Sequence, residues 1–387
     1  MRKSTISLAA VGVAAALALA ACSSSGGGNS SSTSPAGGGN SSSSTPATGN
    51  SSSSTSTGAL DGKGVKVGII LPDTTSSPRW VTADPTALAA DCKKDNLNCD
   101  IQNAGGSATK MKQIANQMEA SGVKALMIVD LDQASGADIE QQAKKDGLIV
   151  VDYDRLTPGG GADLYVSFDN VKVGVAQGTA LTQCPQVKNL KKVDYVEIDG
   201  APTDNNATLF HQGYASVLSK QPGWTLKGDQ TGQWDAPTAG RVFSSMLGKD
   251  PNIKAVMVAN DTMAGAVITD LQRQHLNGKV AVSGQDASAA GLQQIMAGNQ
   301  CFTIYKPSAS EAGPAIDGLT DLLNGQKPPV NGQVQDPMTK KEVPSILATP
   351  TVITQQNVAQ PINDKYTPKN TVCIGQYKSL CTKFGVK

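Results

Sequence analysis

The sequence predicts an α/β protein of two similar lobes, each a doubly wound parallel sheet. Three observations carry this. From Val65 onward, strand-like and helix-like segments alternate almost without a break, the pattern of a parallel sheet with helices on both faces. Several strand-like runs, Ala125–Val129 and Ala255–Val258 among them, are apolar throughout rather than alternating, as strands covered on both faces are. The series restarts after Asp163–Phe168, so the alternation falls into two stretches, each long enough to form a lobe.

In the first series Val65–Leu71 is a β-rich run, Ala83–Lys94 reads as helix and Asp100–Gln102 as a short strand. Lys110–Ala120 places Met111, Ile114 and Met118 at helical spacing, and Ala125–Val129 follows as a buried strand. Ala134–Asp146 is helix, Leu148–Val151 strand, and Asp163–Phe168 closes the series. In the second, helices at Val171–Thr182, Ala207–Lys220, Ala239–Gly248, Met263–Gln274 and Ala289–Ala297 alternate with strands at Val193–Ile198, Thr225–Gly228, Ala255–Val258, Val280–Ser283 and Phe302–Tyr305.

Composition removes several function classes. The net charge is +1 with no basic cluster, which argues against nucleic acid as a partner. His211 and His275 are the only histidines and lie far apart in sequence, so no metal site is expected. There is no G-x-S-x-G elbow and no P-loop. Gly62-Lys63-Gly64 precedes the first strand instead of following it, so it fails as a dinucleotide fingerprint. The Asp130–Asp132 pair alone does not make a catalytic dyad. No enzyme activity and no cofactor are expected.

At the N-terminus, Arg2 and Lys3 precede an apolar stretch from Ile6 to Ala21. This reads as a secretory signal over residues 1–21, short and Ala-rich for a span of about 20 apolar residues. Leu19-Ala20-Ala21-Cys22 resembles the lipobox of bacterial lipoproteins, which implies a lipidated Cys22 at the start of the mature chain. Residues 22–60 are almost wholly Ser, Gly, Thr, Asn, Pro and Ala, a flexible tether with too little apolar surface to fold. The expected location is extracytoplasmic, on the outer face of the cell membrane. Six further cysteines, Cys92, Cys99, Cys184, Cys301, Cys373 and Cys381, are an even number in an exported chain and suggest disulfides. Fifteen pairings are open. Proximity in sequence favours Cys92–Cys99 and Cys373–Cys381, leaving Cys184 with Cys301.

Ligands of open parallel sheets bind beyond the carboxyl ends of the strands. Those ends carry Pro72-Asp73, Asp130, Asp152-Tyr153-Asp154-Arg155, Asp199-Gly200, Asn260-Asp261, Gln285-Asp286 and Tyr305-Lys306. Helix capping accounts for some of them, Asp261 before Thr262 being expected as one. Two polar rims facing each other across a cleft account for the rest. Together with Trp80 and Trp234, these groups suit a carbohydrate: planar polar side chains hold vicinal hydroxyls, and indole faces cover the C–H face of a pyranose.

The motifs Tyr153-Asp154-Arg155, Tyr165-Val166-Ser167-Phe168-Asp169-Asn170, Asp204-Asn205-Asn206-Ala207-Thr208-Leu209-Phe210, Ser283-Gly284-Gln285-Asp286 and Thr303-Ile304-Tyr305-Lys306-Pro307 stand in a familiar order. With them the chain resembles the periplasmic sugar-binding proteins of ABC importers, type I fold, and their xylose-binding branch in particular. The resemblance implies two lobes joined by a three-crossing hinge, residues 61–165 with 306–330 forming one and 166–305 with 331–387 the other. It implies sugar contacts from Arg79, Trp80, Asp154, Arg155, Asp204, Asn206, Trp234, Asn260, Asp286 and Lys306. It further implies a monomer that takes a monosaccharide, D-xylose first, and delivers it to a membrane ABC permease. The loop Asp73–Pro78, Asp130-Leu131-Asp132 and the segment around Cys373–Cys381 depart from the family pattern. A sensor that presents sugar to a membrane receptor shares every one of these features. An exported glycosidase needs paired carboxylates at a defined spacing, and a sugar-responsive repressor needs a helix-turn-helix where this chain has its signal.

Overall fold

The computed structural model describes residues 60–387; the signal, Cys22 and most of the tether lie outside them. The first sheet holds seven strands in the order β11-β12-β5-β4-β3-β1-β2. These are β1 (Lys66–Leu71), β2 (Asn98–Asn103), β3 (Ala125–Ile128), β4 (Ile149–Tyr153), β5 (Leu164–Phe168), β11 (Gly332–Gln335) and β12 (Glu342–Ala348). All pairings are parallel except that of β11 with β12. The second sheet runs β7-β6-β8-β9 and is wholly parallel. Its strands are β6 (Val193–Asp199), β7 (Trp224–Thr231), β8 (Ala255–Val258) and β9 (Ala281–Val282). Beside it β10 (Thr303–Tyr305) pairs antiparallel with β13 (Thr351–Ile353).

The apolar strands are buried on both faces for the expected reason. Val67, Ile69 and Leu71 of β1 join one core cluster, while Ile70 between them joins the other. In β6, Val196 and Ile198 face one cluster and Val193 and Tyr195 the other. Period-two alternation therefore feeds two cores per sheet. The covering helices are α1 (Ala83–Lys94), α2 (Ala108–Ala120), α3 (Gln133–Lys145), α4 (Asn170–Thr182), α5 (Asn205–Leu218), α6 (Ala236–Lys249), α7 (Asp261–Arg273), α8 (Ala289–Ala297) and α9 (Ala309–Leu323). The short α10 (Gln360–Asn363), α11 (Lys369–Val372) and α12 (Tyr377–Lys383) close the chain.

Three connections pass between the lobes: β5 to α4, β10 to α9 and β12 to β13. One lobe assignment made from the sequence needs amendment here. Residues 332–348, expected with the second lobe, form β11 and β12 of the first sheet, with Ser345 in register with Tyr165. Only from β13 onward does the chain return, and Ile353, Val358, Ile362 and Val372 then pack with Leu292 and Ile295. The physical reason is the free edge of β5, which β12 covers in parallel register. Between Gly174 of α4 and Gly213 of α5 the helices touch backbone to backbone: a Cβ on Gly174 would lie 2.1 Å from the Phe210 carbonyl oxygen. That close crossing brings Asn170 and Asn206, both near helix starts, to 2.8 Å.

All six described cysteines are paired, as Cys92–Cys99, Cys184–Cys301 and Cys373–Cys381. The second ties the end of α4 to the chain entering β10, and the third staples the C-terminal segment.

Candidate functional site

A narrow cavity lies between the two sheets, at the carboxyl ends of their strands. All ten side chains singled out from the sequence line it, together with Ser76, Ser77, Phe210 and Gln285.

Four of these residues come from the first lobe. Arg79 and Trp80 sit in a single 3₁₀ turn, Pro78–Val81, after β1. Asp154 and Arg155 follow β4, with Asp154 in the left-handed region at φ 63°. Asp152 pins this loop by accepting from the Thr157 backbone N–H at 2.9 Å and its hydroxyl at 2.7 Å. The second lobe supplies Asp204 and Asn206 at the start of α5, Trp234 before α6, Asn260 before α7 and Asp286 after β9. Trp234 (φ 57°) and Asp286 (φ 95°) are also left-handed. Strained backbone of this kind concentrates at functional sites. Gly200 makes room for Trp234, since a Cβ there would lie 2.0 Å from the indole ring. Lys306 follows β10, on the second crossing.

The charges are tied together. Arg79 donates to Asp84 at 2.8 and 2.7 Å, to Asp154 at 2.9 Å and to Glu311. Asp84 also accepts from Tyr153 at 2.6 Å and Ser308 at 2.9 Å. Lys306 Nζ stands 3.5 Å from Asp154. Burial works against ionised Asp154, but Lys306, Arg79 and Arg155 outweigh it and hold its carboxyl down at about 2. Burial pushes Glu311 the other way, to about 8, against the pull of Arg79 and Lys306. Asp84 and Asp154 stand directly against Arg79 and Lys306.

Polar contacts also join the lobes. Arg155 donates to the Asp130 carbonyl at 2.8 Å, and its Nε lies 3.1 Å from Asp204. Asn206 donates to the Asp154 carbonyl at 2.9 Å. Asn260 donates to the Ser76 carbonyl at 2.9 Å and caps α7 through the Met263 N–H at 3.0 Å. The cap of α7 is therefore Asn260, not Asp261 as expected; Asp261 turns inward to accept from Gln300 and the Ser288 N–H. Asp204 caps α5 and accepts from Trp234 Nε1 at 3.1 Å. Trp80 packs on the first-lobe side with Arg79 4.5 Å over its ring. Phe210 and Trp234 meet edge to face across 6.5 Å on the other.

Sequence reading missed Phe210 as a lining residue, although it lies one turn after Asn206 on the same face of α5. It also missed the role of Glu311, although Ala312, Ala315, Ile316 and Leu319 of its helix α9 recur at helical spacing and could have marked that helix.

Below the Asp154 loop, Glu140 is fully buried against Asp152, and neither of its carboxyl oxygens has a hydrogen-bond partner among the described residues. Burial, with Asp152 adding to it, pushes its carboxyl well above the usual range. A raised folded-state value favours the fold fully below the unfolded-state pKa and is lost as pH rises toward the folded one. Stability should therefore fall above about pH 4.5, by about 1.4 kcal/mol per pH unit for one proton. Glu140→Gln should lower that slope by about one proton and raise the melting temperature at pH 8. Urea unfolding between pH 5 and 8 checks this, and an unchanged slope would remove Glu140 as the proton holder.

A two-lobed α/β fold with a polar-lined cavity between its lobes defines a protein that binds a small solute. A family described as "Periplasmic binding protein domain" matches residues 67–327, and the chain belongs to that family, one of binding proteins and not enzymes. It is 35% identical over 306 residues to the D-xylose-binding periplasmic protein of Escherichia coli, covering 78% of this chain and 90% of that one. It is 30% identical to the multiple sugar-binding periplasmic receptor ChvE of Rhizobium radiobacter, covering 75% and 87%. Among solved structures, the carbohydrate transporter solute-binding protein of Chloroflexus aurantiacus in complex with D-glucose superposes with a TM-score of 0.71 at 27% identity, covering 79% of this chain and 97% of that one.

Proposed function

We propose that this protein is the substrate-binding subunit of an ABC importer, tethered outside the cytoplasm through a lipidated Cys22, and that it holds a monosaccharide, D-xylose first, in the inter-lobe cavity. The observation that carries this is the balance of the lining. Three Asp, two Arg and one Lys stand among amide and hydroxyl groups between aromatic rings. Opposite charges in equal number leave no net field to select an ion, yet supply donors and acceptors in every direction. That suits a neutral polyol. Trp80 on one side and Trp234 on the other offer flat apolar surfaces, which fit a pyranose with equatorial hydroxyls better than a puckered furanose. The contacts then fall to Arg79, Trp80, Asp154, Arg155, Asp204, Asn206, Trp234, Asn260, Asp286 and Lys306, with Phe210 and Gln285 added. Three inter-lobe connections make a hinge, and sugar would favour the closed arrangement by bonding both lobes at once. A permease reads that closed arrangement.

Calorimetric titration against xylose, ribose, arabinose, glucose and galactose tests the assignment. Xylose should bind near micromolar, about 8 kcal/mol, and more tightly than ribose. Binding of none of these sugars would overturn the carbohydrate reading. Glucose clearly outcompeting xylose would overturn the pentose assignment and leave the importer role intact.

The anchor has its own test. No helix among the described residues is long and apolar enough to cross a membrane, so retention at the membrane falls to the N-terminal segment. Stable anchoring needs more than a single acyl chain, which the lipoprotein arrangement provides. Cys22→Ala should release the protein from the membrane fraction or leave its signal uncleaved. Unchanged processing and membrane association would sink the lipoprotein reading.

A further inference from the structure

On the second lobe, away from the sugar cavity, four ionisable groups converge. Glu197 and Asp229 are register partners on the neighbouring strands β6 and β7, so their side chains leave the sheet on the same face. Asp199 follows two residues later on that face, and His211 comes down from α5 above it. Ligand-capable atoms of Glu197, His211 and Asp229 all lie within 4.8 Å of one another. The His211 Nδ1 is 3.0 Å from Asp199 and 3.7 Å from Glu197, and Asp199 also accepts from the Tyr214 hydroxyl.

Two features set this group apart from an ordinary surface cluster. Glu197 is 1% exposed, and neither of its carboxyl oxygens has a hydrogen-bond partner among the described residues. A buried carboxylate in that condition is costly unless something pairs with it. Three carboxylates also face one imidazole, so even a charged His211 leaves the cluster acidic. Lys227, the nearest lysine in sequence on β7, is engaged elsewhere, 3.5 Å from Asp194 and 3.6 Å from Asp250. The cluster opens through Asp229, which is exposed, into a cleft lined also by Gly200, Thr208 and Thr231.

We propose that Glu197, His211 and Asp229 form a binding site for a divalent first-row cation, Zn²⁺ in the first instance, with Asp199 holding the imidazole in place. One nitrogen and two carboxylate donors suit Zn²⁺, and a fourth position open to the cleft leaves room for water. Asp199 takes the Nδ1–H, which leaves Nε2 as the ligating nitrogen, and a carboxylate on the other ring nitrogen is the usual supporting partner. The histidine count had set metal aside in the sequence. The site needs only one histidine, and its carboxylates come from adjacent strands that share no local motif. Because Asp204 and Asn206 open the same helix α5 that carries His211, the cation would brace the wall of the sugar cavity from behind.

Titration of the full chain with ZnCl₂ against a chromophoric chelator tests this. One Zn²⁺ per chain should bind at micromolar or tighter concentration and raise the melting temperature. Glu197→Gln, His211→Ala and Asp229→Asn should each weaken binding at least tenfold, with circular dichroism unchanged; Asp229 is exposed, so its variant tests the site even if the buried ones misfold. Sugar titration of the same variants reads the other cavity separately, so failure here is distinguishable from failure of the carbohydrate assignment. Absence of binding at millimolar Zn²⁺, or wild-type affinity in all three variants, would overturn the proposal. Calcium binding that survives His211→Ala would replace it with a carboxylate-only site.

Discussion

Asp286→Asn should weaken xylose binding by about ten- to a hundredfold while the protein melts close to the wild-type temperature. Asp286 is the one acidic side chain lining the cavity that has no protein hydrogen bond among the described residues; only its backbone N–H is engaged, with Ile304 at 2.8 Å. Its acceptor capacity is therefore available to a ligand hydroxyl. A hydrogen bond to a charged group contributes about 1.5–3 kcal/mol, and 1.4 kcal/mol is tenfold in affinity. Asn is the informative substitution because the φ of 95° suits Asn and Asp better than Ala. Arg155→Ala should cost at least as much affinity, and for a different reason. Arg155 sits beside Asp204 and holds the Asp130 carbonyl, so its loss both removes donors and leaves a buried carboxylate of the opposite lobe without its cation. Calorimetry and thermal melting on the two variants decide the matter. Near-normal affinity in both would move the site elsewhere.

The rim residues were legible because parallel-sheet geometry assigns them: whatever follows a buried strand faces the cleft, so Asp154, Arg155, Asn260 and Asp286 could be read without any contact being known. The cysteine pairs were legible in part, since residues seven and eight positions apart can close a loop by themselves. What sequence could not give is how the rim charges are divided between ligand and protein. Asn260 spends its side chain on a helix cap and on the Ser76 carbonyl, two partners that no motif announces. Residues 332–348 misled because an antiparallel hairpin with Pro344 and the charged Lys340-Lys341-Glu342 carries none of the buried-strand signal that marks β1 or β3. Their lobe is fixed by pairing with β5, a contact across nearly 180 positions of chain.

Arg79 shows the same division most sharply, and Arg79→Ala should lower stability more than any other rim substitution. Four of the five N–H donors of a guanidinium are already committed, two to Asp84 and one each to Asp154 and Glu311. One is left for a ligand. The side chain is 2% exposed, and those of Asp84 and Glu311 are fully buried, so water cannot replace the guanidinium. Its partners come from α1, the loop after β4, and α9, which makes Arg79 the link between the first lobe's sheet and the helix that returns from the second. Removing one partner of a buried ion pair costs about 3–5 kcal/mol, because the other charges stay behind. Here Asp84 and Asp154 would be left with only Lys306 and the more distant Arg155. At about 2–4 °C per kcal/mol for a domain of 150–250 residues, the melting temperature should fall by roughly 6–20 °C. Arg79→Lys keeps the charge but not the planar fork that reaches three carboxyl groups at once, so it should recover only part of the loss. A melting temperature within 2 °C of wild type in Arg79→Ala would mean that the carboxylates find protons or other donors, and that Arg79 serves the ligand before it serves the fold.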